Sequence, residues 1–579
     1  MKNPEVAQLL YDIADMLEMQ DVSFKPAAYR KAARNVETNS EDIEEIFRKG
    51  GREALMGIPG VGESIAEKIA EFLETGKLEY YDELKQKFPQ HVAELMNVPG
   101  IGPKKIKLLH DKLGIKTVAQ LEAAAHSHKI SRLAGFGAKS EEDILKGVET
   151  FKGGQARILL GYALPIAQEI ESRLKALKES VRVSVAGSTR RRKETIGDVD
   201  ILVSCNGKSA ASSVMAFFTT MPEVSRILAK GETKSSIVLK TGLQVDLRVV
   251  NDASFGAALQ YFTGSKEHNV VVRDIAIKKG LKLNEYGVFK KGTSRKLAGR
   301  SEEDVYRAIG LRYIEPEIRE NSGEIEAAAN NKLPRLVQYG SIKGDFHVHT
   351  VKSDGSNPLA GMVAAAKQLG YEYIAITDHS KSERIAHGLL DDEMENWLRE
   401  IKAAAAREKK IKILAGSEVD ILPNGELDYP DDILKKMDVV IGSVHSRFKS
   451  TSEEMTGRIL TALDNRHLDI LGHPTGRLIG KREPFEFDLK KVFAAAAEKK
   501  VFLEINAHPE RSDLKDTHAR EAKSQGCKFV INTDSHSTEG LKFMELGVAI
   551  ARRAWLSPED VVNTKPLKEL PKFFRRLRI

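Results

Sequence analysis

Cysteine is almost absent: Cys205 and Cys527 are the only two in 579 residues. Neither sits in a metal-holding spacing, and two cannot frame a chain of this length. A disulfide scaffold and a Cys-ligated metal module are therefore excluded, and a reducing cytoplasm is expected. Long apolar runs are missing too. Nothing approaches the roughly 18 residues of a membrane span, and the opening MKNPEVAQLL lacks a signal-peptide pattern. Nor is there a large excess of one charge. The net +7 is mild, although a pI near 8.9 leans towards an anionic partner.

What is present is organised in blocks. A chain this long exceeds one core, and about three to five domains are expected. Residues 1 to 152 read as helices joined by short hinges. From Val181 strand-like runs appear (VRVSVAGS, DVDILVS, SSIVLKTGLQVDLRVV), mixed with helices. Residues 315–344 are polar and lack a stable apolar period, which predicts a linker with some helix. Beyond Asp345 short apolar strands alternate with amphipathic helices, the pattern of βα units in a parallel sheet or barrel. Ten of the fifteen histidines lie after residue 345, which points to a metal site there.

Three similar stretches punctuate the helical block: IPGVG (Ile58–Gly62), VPGIG (Val98–Gly102) and LAGFG (Leu133–Gly137). The pattern makes a tight hairpin whose glycines let backbone N–H groups at the next helix start approach a phosphate. The competing readings are a plain turn or a dinucleotide-binding loop, but no strand precedes any copy, as that loop requires. Three copies favour helix-hairpin-helix binding to a nucleic-acid backbone, with Gly60, Gly62, Gly100, Gly102, Gly135 and Gly137 as contacts. In the helix after the first copy, Ile65, Ile69, Phe72 and Leu73 share a face and Lys68 borders it. Spacing alone makes Lys68 a solvated lysine; partial desolvation beside other cations would make it nucleophilic. Lys25, Tyr29 and Arg30 are candidates for a phosphate-binding neighbourhood.

In IGDVDILV (Ile196–Val203), Asp198 and Asp200 are two residues apart and share one strand face, while Val199, Ile201 and Val203 face a core. Adjacent carboxylates repel unless cations or other partners stabilise them. A third acid, Asp246, lies in LQVDLRVV. Three such carboxylates on neighbouring strands can hold two Mg²⁺ ions for in-line phosphoryl transfer. Ser188 and the run Arg190–Arg192 would then face a nucleoside triphosphate. The bland alternative is hydrogen-bonded acids beside a solvated basic loop.

Gly187, Ser188, Arg191, Asp198, Asp200, Asp246 and YFTGSKEHNVVVR (Tyr261–Arg273) together resemble the X-family DNA polymerases related to DNA polymerase beta. The resemblance covers residues 1 to about 318. It implies a nucleotidyltransferase palm with catalytic Asp198, Asp200 and Asp246. Tyr261, Phe262 and Gly264 would lie at the incoming sugar, Asn269 at the base in the minor groove, and Arg273 on the template side. Lys68 falls where the family's 5′-deoxyribose-phosphate lyase lysine lies, with Phe24 and Ser64 departing from the vertebrate pattern nearby.

DFHVHT puts His347 and His349 on one strand face, and Asp354 follows. His379, Glu418, His445, His473, Asp534 and His536 each come at or just beyond a short apolar run, as groups at the C-terminal ends of barrel strands do. A lone histidine is usually packed or on the surface; nine positions recurring this way suit Zn²⁺, Mn²⁺ or Fe²⁺. This half resembles the polymerase-and-histidinol-phosphatase (PHP) domain. That resemblance implies a distorted TIM-like barrel, all nine residues as ligands of up to three ions, and metal-assisted phosphoester hydrolysis. Arg477 and Arg511 are candidate phosphate clamps, with surface arginines as the alternative. His387, His467, His508 and His518 fit no ligand position, and the tail KFFRRLRI suggests helix packing.

The expected fold is multidomain α+β and α/β. It comprises a helical lyase-like domain (1–90), helix-hairpin-helix fingers (91–152), a palm (153–252), a thumb-like nucleotide-binding domain (253–318), a linker (319–344) and a PHP phosphoesterase (345–579). The expected activity is gap-filling DNA polymerisation with Mg²⁺ or Mn²⁺, joined to a Mn²⁺-, Zn²⁺- or Fe²⁺-dependent 3′→5′ exonuclease or 3′-end-processing phosphodiesterase. Gapped or nicked duplex DNA and deoxynucleoside triphosphates are the expected partners of a cytoplasmic, nucleoid-associated monomer with no membrane partner. The alternatives are a histidinol-phosphatase-like enzyme with an accessory DNA-binding region, and a DNA-end-binding scaffold without catalysis.

Overall fold

The computed structural model describes residues 3–577 apart from 20, 21, 23, 38, 40–42, 88–94, 96, 97, 99, 100, 102, 134, 153–156 and 575. It divides into two compact units, Met1–Arg157 with Gly480–Arg482, and Ile158–Ile479 with Glu483–Ile579. Among the described residues no helix is long and apolar enough to cross a membrane.

The first unit is helical: α1 (Asn3–Met19), α2 (Lys25–Glu37), α3 (Ile43–Met56), α4 (Glu63–Thr75), α5 (Glu79–Lys87), α6 (Pro103–Leu113), α7 (Val118–His126) and α8 (Ala138–Lys152). Two separate apolar clusters hold it. One runs from Val6 to Leu84, the other from Leu95 to Val148. In α4 the period-3.6 pattern buries Ile65, Ala66, Ile69 and Ala70, and Gly76 ends the helix in the left-handed region with its N–H on the Phe72 carbonyl. The first and third glycine hairpins share one turn. Val61 N–H donates to Ile58 O and Phe136 N–H to Leu133 O, each at 3.0 Å. Gly60 and Gly135 adopt φ of +81° and +91°, which a residue with a Cβ rarely does. Gly100 and Gly102 of the second hairpin lie outside the described residues.

The second unit opens with a five-stranded sheet: β1 (Ser180–Val185), β2 (Asp198–Cys205), β3 (Val224–Lys230), β4 (Lys234–Leu239) and β5 (Gln244–Val250). Their spatial order is β1-β2-β5-β4-β3, with β2 and β5 parallel. Helices α9 (Leu160–Lys175) and α11 (Lys208–Thr219) share an apolar core with Val199, Ile201, Val203, Val245 and Leu247. Between β1 and β2 lies the one-turn helix α10 (Gly187–Arg190). Next come α12 (Phe255–Thr263), α13 (Lys266–Lys278), the antiparallel strands β6 (Leu281–Asn284), β7 (Gly287–Lys290) and β8 (Lys296–Ala298), and α14 (Glu302–Ala308).

The sequence predicts a linker with some helix over residues 319–344; the helix is there, at Glu324–Ala329, but the segment is packed into the fold. Arg319 is fully buried, with Nη1 donating to Glu302 Oε1 at 2.6 Å. Glu324 is buried against His268 Nδ1 at 2.7 Å, and Ile325, Leu336, Val337 and Ile342 are core residues. Charges whose partners lie far along the chain look solvated in sequence and are satisfied only after folding.

The last portion is a seven-stranded parallel sheet in sequential order: β9 (Gly344–Asp345), β10 (Tyr373–Ile376), β11 (Lys412–Asp420), β12 (Val439–Ser443), β13 (Ile470–Leu471), β14 (Phe502–Asn506) and β15 (Phe529–Asn532). The two ends meet at a parallel bridge, Val348 to Ser535, where His349 N–H donates to Ser535 O at 2.8 Å. The result is a nearly closed barrel. The tail packs as expected: Phe574 is fully buried against Phe346 and Phe502.

Two candidate metal centres

The first centre follows from strand register. β2 pairs with β5 so that Asp200 lies directly beside Asp246 and Asp198 beside Gln244. The alternation read from IGDVDILV holds, with Val199, Ile201 and Val203 buried and both aspartates half-buried on the other face. Gly187 opens the space for them. Its φ is +60°, and a Cβ there would lie 2.3 Å from Asp200 Oδ2. Burial, then the charges of Asp198 and Asp246, push Asp200 up to about 7. Asp246 goes the other way. Burial would raise it, but Lys234 (Nζ–Oδ2 2.9 Å), Gln244 (Nε2–Oδ1 2.9 Å) and Ser236 hold it below the usual carboxylate range.

Around the acids the predicted nucleotide residues assemble unequally. Arg191 Nη1 donates to Thr263 O at 2.5 Å and Nε to Glu320 Oε1 at 3.1 Å. Its Nη1 is also 3.0 Å from where a Cβ on Gly264 would lie. Ser188 is half-buried in α10. Tyr261 and Phe262 pack edge to face at 5.1 Å, with the Arg248 guanidinium 4.3 Å above the Phe262 ring. Asn269 donates to Tyr261 O and accepts from Gln260 Nε2, both at 2.7 Å, so its amide orientation is fixed. Arg273 is exposed on α13. Arg190 is committed instead to Glu302, at 2.6 Å, and to Thr263 Oγ1, at 2.7 Å.

The second centre gathers all nine predicted ligands at the C-terminal ends of the barrel strands, with Glu418 of β11 at the middle. Glu418 Oε2 lies 3.2, 3.5 and 3.1 Å from nitrogens of His347, His349 and His379; Oε1 lies 3.3 and 2.8 Å from those of His445 and His473. Eight of the nine, all but His473, fall in three ion-sized groups among the described residues: His349, Asp354, His379 and His536; His347, His349, Glu418 and Asp534; His379, Glu418 and His445. A fourth group, Glu383, Asp420 and His445, adjoins them. The donor set fits cations. His347 Nε2, both His349 nitrogens and His379 Nδ1 are buried without a hydrogen bond, an arrangement costly unless a ligand satisfies it. Burial would lower His445 and His536, but Glu418 with Asp420, and Asp354 with Asp534, raise them to about 10 and about 9. His379 is pushed down to about 3 by burial.

Sequence reasoning missed the groups that orient these ligands. Glu504, fully buried on β14, accepts from His347 Nδ1 at 2.7 Å and from the His473 backbone N–H at 2.6 Å. Asp420 holds His445 Nδ1 at 2.5 Å. Such partners fix a ligating imidazole's tautomer. The signal was available: Asp420 is two residues after Glu418, hence on the same strand face. Arg511 reaches the centre, with Nε 3.1 Å from Asp534 Oδ2 and Nη1 buried without a hydrogen bond. Arg477, read with it as a candidate clamp, instead donates to Glu194 and Ser512 O.

In the helical unit, Lys68 Nζ lies 3.0 Å from Ser64 Oγ and 4.7 Å from the Tyr80 ring centre. Burial and the charge of Lys25 lower its pKa against the opposing pull of Glu67. Arg30 is paired with Glu18.

Five stretches of the chain match known families. Residues 1–78 match the helix-hairpin-helix domain, 92–150 the SAM-like helix-hairpin-helix tandem, 163–258 the DNA polymerase beta palm, 258–320 the DNA polymerase beta thumb and 345–508 the PHP domain. The chain is 38% identical over 579 residues, the whole of both proteins, to the DNA polymerase/3′-5′ exonuclease PolX of Bacillus subtilis. It is 25% identical over 344 residues to DNA polymerase lambda of Rattus norvegicus, covering 55% of this chain and 56% of that one. A Thermoanaerobacter protein named "Probable phosphatase" is 29% identical over 231 residues, 38% of this chain and 89% of its own.

Proposed function

Because the chain belongs to the X-family DNA polymerases that carry a C-terminal PHP domain, we propose that it fills short gaps in DNA and trims 3′ ends at two separate sites. The observation that carries this is the presence of two independently built centres in one chain. One is the register-matched Asp200 and Asp246 with Asp198; the other is the Glu418-centred cluster.

At the palm, Asp198, Asp200 and Asp246 hold Mg²⁺ or Mn²⁺, which supplies charge neutralisation for an in-line displacement. Ser188 with the Gly187 turn and Arg191 bind the triphosphate. Tyr261, Phe262 and Gly264 lie against the sugar, and Asn269, already locked by Gln260, reads the minor-groove edge. Arg273 faces the template. In the barrel the nine residues hold Mn²⁺, Zn²⁺ or Fe²⁺, whose Lewis acidity assists phosphodiester hydrolysis. Arg511 clamps the phosphate, and Glu504 and Asp420 hold His347 and His445 in the ligating tautomer. The glycine hairpins of residues 1–90 and 91–152 grip the backbone of a gapped or nicked duplex. Residues 153–252 serve as the palm, 253–318 as the thumb and 345–579 as the nuclease. The protein acts as a cytoplasmic, nucleoid-associated monomer. Lys68, desolvated and near Lys25, is the candidate 5′-deoxyribose-phosphate lyase.

A 5′-labelled primer on a one-nucleotide-gap duplex tests the reading. Extension by one nucleotide with deoxynucleotides and shortening without them is expected. An unchanged primer together with rapid hydrolysis of histidinol phosphate would favour the small-molecule phosphatase, which has no use for the palm.

A further inference from the structure

Between Ser188 and Asp198 the palm chain passes along the barrel, and three barrel side chains take hold of it at three of four consecutive residues. Arg553 Nη1 donates to the Arg191 carbonyl at 2.8 Å. Arg192 Nη2 donates to Glu545 Oε1 at 3.1 Å. Arg477 donates from Nη2 and Nη1 to the two Glu194 oxygens at 2.7 and 3.4 Å. The Arg553 side chain is 6% exposed and its partners Asp516 and Glu320 are 24% exposed, so salt screens them weakly. Arg477 is 11% exposed but its partner Glu194 is 41% exposed, so that pair is open to solvent on one side.

Each anchor leads further into its own half. Arg553 is fixed from behind by Asp516 at 2.6 Å and also donates to Glu320 Oε1 at 3.1 Å, the oxygen that accepts from Arg191 Nε. Glu320 is thereby shared between a palm and a barrel arginine. Arg477 is four residues beyond His473, and the intervening Thr475 is fastened to Asp513 through both N–H and Oγ1, at 3.0 and 2.9 Å. Ion pairs, whether buried or partly exposed, add little net stability. What these pairs fix is the position of a loop.

We propose that Arg477 and Arg553 of the nuclease barrel are positioning residues of the polymerase site, holding the palm loop Arg191–Glu194 so that Arg191 meets the incoming triphosphate. The inference rests on the polymerase reading of the palm. Its consequence is that a change confined to the barrel alters nucleotide binding in the palm.

The test uses the full chain with Arg477→Met, Glu194→Gln, both together, and Arg477→Lys. Steady-state gap filling gives KM for the deoxynucleotide and kcat. Primer shortening without nucleotides and thermal melting are followed on the same preparations. Each single substitution is expected to raise the nucleotide KM about tenfold with kcat changed less than about threefold, as a displaced binding loop would do. The double variant should match Arg477→Met rather than multiply the two singles, because the Arg477–Glu194 ion pair is disrupted in all three. Arg477→Lys should fall between, and it keeps the test readable if the Met variant does not fold. An unmoved KM in folded variants, or multiplicative losses, overturns the inference while leaving the polymerase reading standing. A wild-type chain that does not extend primers overturns both.

Discussion

Replacing Gly187 by alanine isolates what the palm demands of its smallest residue. Two costs arise and can be separated. The first is backbone: φ is +60°, and an L-residue there costs roughly 1–2 kcal/mol. The second is steric. The new Cβ would stand 2.3 Å from Asp200 Oδ2, where ordinary contact begins at 3.4 Å, so the carboxylate must retreat by about 1 Å, a misplacement that can lower turnover about a hundredfold. Gly242 supplies the control. It has φ of +84° with nothing within 4 Å of where a methyl would stand, so Gly242→Ala incurs the backbone cost alone. Single-turnover gap filling should fall about a hundredfold in Gly187→Ala and less than about threefold in Gly242→Ala. Primer shortening should be unchanged in both. Wild-type extension by Gly187→Ala, or an equal loss in the two variants, would refute the claim that the glycine exists to seat Asp200.

Three further outcomes follow from the same geometry. Glu504→Gln removes the acceptor charge behind His347 and should weaken metal binding by the barrel about 10- to 100-fold, read by metal content after dialysis, with gap filling retained. Asp200 is raised to about 7 in the fold against an ordinary 3.8, so between those values the folded chain keeps a proton that the unfolded chain has lost. Metal-free stability should therefore fall, through this group, as pH rises across that window. Mg²⁺ must displace the same proton, so its apparent affinity for the palm should rise about tenfold per pH unit up to about 7 and then level; a flat Mg²⁺ titration from about pH 5.5 to about 7 would contradict this. Arg319→Met leaves Glu302 paired with Arg190 alone and should destabilise the second unit by about 3 kcal/mol, read by urea unfolding; a loss below about 1 kcal/mol would mean that Arg190 alone suffices.

How much of this was legible depended on the distance over which each signal acts. Asp198 and Asp200 announced themselves because the strand period is two and both sit in one short run. Asp246 was placed by the same alternation, but Lys234 and Gln244, which hold its charge, were not. Lys234 reaches Asp246 from another strand, through a register that only the folded sheet supplies. In the barrel the candidate ligands were readable because His347 and His349 share one strand face, and His379, Glu418, His445, His473, Asp534 and His536 each lie at or just beyond an apolar run. Glu504 drew no reading, because nothing in its own run marks its contact with His347, 157 positions away. The packing of residues 319–344 was not legible because their charges have remote partners: Glu324 meets His268 56 positions away. Arg477 likewise has its partner 283 positions off, so nearness to His473 suggested a phosphate clamp where the fold made a tie to the palm.

The central claim is that one chain holds two separate active sites. The most direct test is the Asp198→Ala/Asp200→Ala chain on a 5′-labelled primer in a one-nucleotide gap with Mn²⁺, with and without deoxynucleotides. Extension is expected to disappear while shortening proceeds at the wild-type rate. Loss of both activities in a folded variant would contradict the claim.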